Sequence, residues 1–296
     1  MRRSVVLGEW LDRPIAADLA VAVEADRLGY GQVWIGEMAK LDAAAMAATI
    51  VGRTTRIEPV LGPLAVTVRS PAQIALAAST VAAAGRTTHV ALGTSSVMVA
   101  RWHGRSRDGA VELLASATAE VRALLDGERI NGFRLRQPPP GATLTVAAFG
   151  PRAVTTAAAA DRMVLNLVTV DAVARLAPQH PNTAAWLPAA VDPTAQERRW
   201  LALGLVGYLG AAGYAEMFAE AGYADLVDFA RTRPHPKDLA ARLPDGLIEA
   251  VGLVGSAAEV TDRLAAYAAA GLAEVGLVVP PLDSPSGQRT LEALAP

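Results

Sequence analysis

Apolar runs in the first third of the chain each end in a short cluster of glycine and polar residues. Gln32-Val33-Trp34-Ile35 leads into Gly36-Glu37-Met38. Arg56-Ile57-Glu58-Pro59-Val60-Leu61 leads into Gly62-Pro63-Leu64, and His89-Val90-Ala91-Leu92 into Gly93-Thr94-Ser95-Ser96. An Ala-rich amphipathic segment of helical length precedes each run. The pattern therefore predicts helix alternating with buried strand, with the polar groups always at the strand's carboxyl end.

The same alternation extends over the rest of the chain. Residues 4–8 read as a first strand, and Pro14 opens a helix with Ile15, Leu19, Val23 and Leu28 on one face, stopped by Gly29. Asp42 and the Ser70-Pro71 pair are placed to cap the second and third helices, which end near Gly52 and Gly85. After the fourth strand comes a loop with Arg101-Trp102-His103-Gly104, then a helix over 108–125. Asn131-Gly132 and Pro138-Pro139-Pro140 mark 126–141 as an excursion of turns and extended chain. Further strands are predicted at 144–148, 162–167, 184–191 and 274–279. Residues 192–244, broken by five glycines from Gly204 to Gly222, read as a helical insertion. Gly255-Ser256 caps a helix to Ala270, and 290–294 forms a last helical turn. Eight strands alternating with helices predict a single α/β domain over 1–296, a closed (β/α)8 TIM barrel. A doubly wound sheet needs a Gly-rich first turn, and Gly8-Glu9-Trp10 is not one. In such barrels the strand carboxyl ends carry the chemistry.

Composition adjusts this picture in three ways. The chain has 296 residues, more than the roughly 250 of a minimal barrel, which leaves room for the insertion. It is 52% hydrophobic but only 5% aromatic, so the core is built from Ala, Val and Leu. A net charge of -2 gives no basic stripe for nucleic acid, and the absence of cysteine excludes disulfides, thiolate catalysis and Cys-ligated zinc. The four histidines show no metal-ligand spacing, so no metal is expected. The apolar run Val5-Val6-Leu7 is interrupted at Glu9, too early for a secretory signal, and no window approaches the ~20 apolar residues of a membrane span. A cytoplasmic protein without membrane or nucleic-acid partners is expected.

Several segments together resemble the bacterial-luciferase-like superfamily, and within it the coenzyme F420-dependent oxidoreductases. They are Leu28-Gly29-Tyr30-Gly31-Gln32-Val33-Trp34-Ile35-Gly36-Glu37, residues 61–71, Ala91-Leu92-Gly93-Thr94-Ser95-Ser96 with Trp102-His103-Gly104, and 147–152. Val206-Gly207-Tyr208-Leu209-Gly210 and Ala269-Ala270-Gly271 add to them, and their order and spacing carry the likeness over nearly the whole chain. The resemblance implies a barrel with an insertion, F420 or alternatively FMN at the strand carboxyl ends, and hydride transfer or flavin monooxygenation. It also implies a homodimer acting on a small molecule.

The resemblance assigns roles to particular residues. Relatives commonly end the third strand in a non-proline cis peptide that backs the cofactor ring; the aligned bond is Gly62-Pro63. Proline makes the cis form far more accessible, so this bond is expected to be cis, against an ordinary trans proline at a strand end. Ala148, Gly150, Pro151 and Arg152 form a candidate phosphate cradle, against a simple helix-start corner. Gly93, Thr94, Ser95 and Ser96 offer donors at the barrel mouth, against turn and N-cap residues. Glu37 and His103 are the candidate catalytic groups, against a surface carboxylate and a histidine packed beside Trp102. Trp10, Met38 and Trp102 are candidate walls of the substrate pocket. Met38 stands where relatives that oxidise alcohols or sugar phosphates carry histidine. That departure points to reduction of an activated C=C or C=N bond rather than hydroxyl oxidation. A non-catalytic partner subunit is a further alternative.

Overall fold

The strands are short runs of valine, leucine, isoleucine and alanine, several of them buried at every position, as expected of a parallel sheet covered by helices. The structure is a computed structural model and describes residues 1–8 and 13–296. Its strands are β1 (Arg2–Leu7), β2 (Gln32–Ile35), β3 (Glu58–Ala65), β4 (His89–Gly93), β5 (Leu144–Ala147), β6 (Arg162–Asn166), β7 (Thr183–Val191), β8 (Leu253–Gly255) and β9 (Glu274–Val278). Every pairing between these strands is parallel. β1 to β7 follow in order, and β9 closes the ring by lying between β7 and β1. The result is the closed eight-stranded (β/α)8 barrel the alternation predicts.

β8 was not foreseen. It pairs only with the last three residues of β7, Ala189 to Val191, and hangs outside the eight-stranded ring. Three residues are too few to show a strand period, so its sequence reads only as the lead-in to the helix capped by Ser256.

The helix caps expected from sequence are formed. Asp42 accepts from Ala45 N at 2.9 Å, and Ser70 forms a capping box with Gln73. Ser256 forms a second box with Glu259. The turn-rich excursion is held down by a small satellite cluster, in which Ile130, Phe133 and Leu135 pack on Ala75 and Leu124 of two outer helices. The insertion is helical over Ala195–Leu203, Tyr214–Phe218, Ala224–Arg231 and Pro236–Ala241. Its first helix is anchored by Glu197, which accepts from Ser286 N at 2.9 Å and Ser286 Oγ at 2.7 Å and closes a capping box with Thr194. Burial pushes the Glu197 carboxyl up, but these donors outweigh it and bring its pKa down to about 2.

Inside the barrel the two ends differ in chemistry. At the amino ends of the strands lies a polar plug. Arg162 donates to Glu274 Oε2 at 2.6 Å, to Gln32 Oε1 at 2.8 Å and to Thr145 Oγ1 at 3.1 Å. Trp34 sits above it, with Nε1 shared between Ser4 Oγ at 3.0 Å and Glu274 Oε1 at 3.1 Å, and the Arg162 guanidinium 4.1 Å from its ring centroid. Trp186 meets Trp34 edge-on at 5.7 Å. The plug closes that end and leaves the carboxyl ends for function. Among the described residues no helix is long and apolar enough to cross a membrane.

Candidate cofactor site at the strand carboxyl ends

At three neighbouring strand exits, Pro63, Gly93 and Ala147 come together. The Gly62-Pro63 bond is cis, as expected, and the β3–β4 register shifts between Leu61 and Leu64. A Cβ placed on Gly93 would lie 3.3 Å from Pro63 Cβ and 3.4 Å from Ala147 Cβ. The ends of β3, β4 and β5 therefore meet in a surface of glycine, proline and alanine that any larger residue at 93 would fill. This is a floor suited to a flat, largely apolar ring. Thr67 Oγ1 in the β3 exit is buried without a hydrogen-bond partner, as is Trp186 Nε1 deeper inside the barrel beside Trp34. Uncommitted donors of this kind fit a ligand with polar edges.

Glu37 follows β2 and is braced rather than free. Its Oε1 accepts from Arg69 Nε at 2.6 Å, and its Oε2 from Arg69 Nη2 at 2.8 Å and Ala43 N at 3.0 Å. Arg69 Nη2 also reaches Asp42 Oδ2 at 2.6 Å, and these acids, Glu37 first, hold its pKa well above the ordinary value. This fork ties the β2 exit to the β3 exit and to the start of the helix Ala43–Val51. Arg69→Met, which keeps the apolar stem and removes the fork, is expected to cost about 1–3 kcal/mol of stability. In a urea-midpoint double-mutant cycle, Arg69→Met and Glu37→Gln should be strongly non-additive; additive losses would remove the brace.

The β4 exit is arranged similarly. Arg107 donates from Nε to Ser95 O at 2.7 Å and from Nη2 to Thr94 Oγ1 at 2.8 Å. Ser95 has a positive φ of 57°, and Ser96 caps the helix Val97–Trp102 by accepting from Val99 N at 3.2 Å. That helix carries Trp102 to the surface, 51% exposed, and His103 forms its exposed C-cap.

After β5, Ala148 is buried, Gly150 is the N-cap and Pro151 the first residue of the helix Pro151–Ala157. The exposed Arg152 pairs with Glu112. Met38 is half-buried just beyond Glu37. Trp10 and Glu9 lie outside the described residues.

Residues that sequence reasoning did not single out complete the rim. Phe149 stacks on Tyr214 of the insertion at 4.4 Å, and Tyr208 tilts against Tyr214 at 5.0 Å. Burial, aided by Tyr208, pushes the Tyr214 phenol well above its usual pKa, so it stays a neutral donor. A Cβ on Gly213 would meet Phe149 Cδ1 at 2.7 Å, which shows how closely the insertion seats on the β5 exit. Phe149 was legible as the aromatic inside the 147–152 segment.

A closed parallel barrel with a braced rim at the strand carboxyl ends and an insertion seated on it defines the luciferase-like class of TIM barrels. The family model for luciferase-like monooxygenases matches residues 7–274, and the chain belongs to that family. Comparison with curated protein sequences gives no match. Among solved structures, the coenzyme F420-dependent tetrahydromethanopterin reductase of Methanopyrus kandleri is similar, with a TM-score of 0.77 at 14% identity over 99% of this chain and 97% of that one. An F420-dependent secondary alcohol dehydrogenase, in complex with an F420-acetone adduct, has a TM-score of 0.77 at 15% identity over the same shares. The oxygenating constituent of 3,6-diketocamphane monooxygenase from Pseudomonas putida, in complex with FMN, has a TM-score of 0.70 at 16% identity over 100% of this chain and 97% of that one. These likenesses establish the fold.

Proposed function

We propose that the protein is an F420-dependent oxidoreductase that reduces an activated C=C or C=N bond in a small or natural-product-like substrate. The observation that carries this reading is the floor of Gly62, Pro63, Gly93 and Ala147 at the strand carboxyl ends, the end of the barrel opposite the Arg162–Glu274 plug. Thr94, Ser95 and Ala148 border the floor, and the exposed Gly150-Pro151-Arg152 turn is the phosphate-facing candidate, with Arg152 shared with Glu112. When bound, the deazaflavin would supply the hydride, and the protein supplies orientation and exclusion of water.

Met38 supports reduction over alcohol oxidation, since a thioether neither accepts nor relays a hydroxyl proton. Glu37, held by Arg69, acts as a positioning residue that fixes the β2 and β3 exits against each other. His103 is the remaining titratable candidate for a proton donor on the β4 side. An FMN-dependent monooxygenase is the second reading, favoured by the same floor, which does not distinguish a flavin from a deazaflavin.

Fluorescence titration of the purified protein with F420 and, separately, with FMN tests the choice. Saturable F420 binding with negligible FMN binding is expected. Binding of FMN alone would install the monooxygenase reading, and binding of neither would leave a partner subunit.

A further inference from the structure

The barrel interior above the plug holds a donor with nothing to donate to. Trp186 of β7 points inward, since its ring meets Trp34 edge-on at 5.7 Å, and its Nε1 is buried without a hydrogen-bond partner. Gly276, its register partner on β9, makes room for the indole: a Cβ there would lie 2.9 Å from Trp186 Cδ1 and 3.4 Å from Nε1. Trp186 keeps 9% exposure, whereas Trp34 has none and Arg162 and Glu274 of the plug have 3% and 2%. The opening that reaches Trp186 therefore descends from the strand carboxyl ends. Asn166, the last residue of β6, stands beside it in register and is half-buried. It lies four positions after Arg162, which points inward to Glu274, so the two-residue period of a strand turns it inward as well. In the eight-stranded ring, β7 and β9 stand across from β3 and β4, which carry the cofactor floor. A substrate held over that floor is bounded on its far side by these two strands.

We propose that Trp186 and Asn166 receive the carbonyl oxygen of the substrate, which makes the substrate a C=C bond conjugated to a neutral carbonyl: an enone, an enal or an unsaturated amide. The inference rests on the reductase reading above and narrows it from C=C or C=N to this class. Both side chains offer neutral N–H donors. The charged pair beneath them, Arg162 and Glu274, is closed on itself at 2.6 Å. A carboxylate brought there would lose its water without gaining a counter-charge, and an iminium cation would meet donors where it needs acceptors. A neutral carbonyl oxygen satisfies the N–H groups and strands no charge. The step balances with the reduced cofactor as reductant. Hydride adds to the carbon β to the carbonyl, the C=C pair shifts toward the carbonyl and places negative charge on its oxygen, and water supplies the proton taken up at the α-carbon. Donors fixed at that oxygen strengthen as the charge develops, so they stabilise the transition state more than the bound substrate.

The test is a binding measurement on the protein loaded with oxidised F420, which cannot deliver hydride. Three probes of similar shape are compared: the enone benzylideneacetone, the hydrocarbon β-ethylstyrene and the carboxylate cinnamate. The enone should bind about tenfold tighter than either of the others. Trp186→Phe, which keeps an aromatic ring and removes the N–H, and Asn166→Leu, which keeps the volume, should each weaken the enone about three- to tenfold and leave the hydrocarbon within about twofold. The carbonyl stretch of the bound enone, read by infrared difference spectroscopy, should lie below its position in hexane, and each variant should move it back up. Equal affinity for enone and hydrocarbon, or a carbonyl stretch that neither variant moves, would overturn the assignment and leave the reductase reading intact. Tighter binding of cinnamate would overturn it in favour of a charged substrate. Variants that weaken enone and hydrocarbon equally would make Trp186 and Asn166 packing residues and overturn it too. Should F420 fail to bind, the reductase reading falls, and the same comparison on the unloaded protein decides the carbonyl site separately.

Discussion

Gly62→Ala yields little or no folded protein. Gly62 sits at φ +111°, and an added Cβ would lie 2.3 Å from Leu64 N and 2.4 Å from Ala91 O, both backbone atoms of β3 and β4. Backbone inside a barrel cannot swing aside as a flexible side chain does. The positive φ adds about 1–3 kcal/mol of strain and the overpacking a similar amount, together a large part of the ~5–15 kcal/mol that stabilises a typical domain. Gly29→Ala is the control. Gly29 has φ +93°, but nothing lies within 4 Å of the added Cβ, so it should lose only the conformational share and still fold. Soluble yield and urea midpoints of the two variants give the comparison. A Gly62→Ala protein as stable as Gly29→Ala would show that the β3 exit can relax.

Glu274→Leu has the second large effect. Glu274 and Arg162 are both almost fully buried, and removing the carboxylate leaves a guanidinium without its counter-charge in the barrel floor. A loss of about 3–5 kcal/mol is expected. Adding Arg162→Met should recover most of it, because the apolar pair no longer strands a charge. If the double variant is no better than the single, the loss comes from packing around Trp34 instead.

The same carboxylate gives a pH signature. Burial pushes Glu274 up, but Arg162, the Ser4 hydroxyl and Arg2 outweigh it and hold its pKa below the ordinary 4.5. Because the folded value is the lower one, the stabilisation is present above the unfolded value and is lost as pH falls through the folded one. The stability gap between wild type and Glu274→Leu should therefore narrow as the pH drops below 4.5. Burial pulls Arg162 below its usual value too, yet a guanidinium remains charged at any pH the folded chain meets.

Local information in the sequence was enough for most of the architecture. Hydrophobic alternation located the eight strands of the ring, and short-range chemistry located the caps at Asp42, Ser70 and Ser256. The Gly62-Pro63 pair announced an unusual strand end because proline is rare inside a central strand. What escaped was set by contacts between distant segments. The Glu37–Arg69 fork joins residues 32 apart and makes a brace from what reads alone as a candidate acid. Arg107 grips a loop 13 residues earlier, and Phe149 stacks on a tyrosine supplied by the insertion. Such links depend on which strand exits become neighbours in the closed ring, which no pattern along the chain encodes. β8 escaped for the opposite reason, being three residues long.

The placement of β9 governs when the molecule can become whole. This strand separates β1 from β7, and Ser4 and Arg2 reach Glu274 across about 270 positions of chain. On the ribosome, β1 to β7 emerge first and can only curl into an open sheet with two unpaired edges. The cylinder shuts when the segment around residue 278 leaves the exit tunnel, so a stalled or C-terminally clipped chain would expose β1 and β7 as sticky borders.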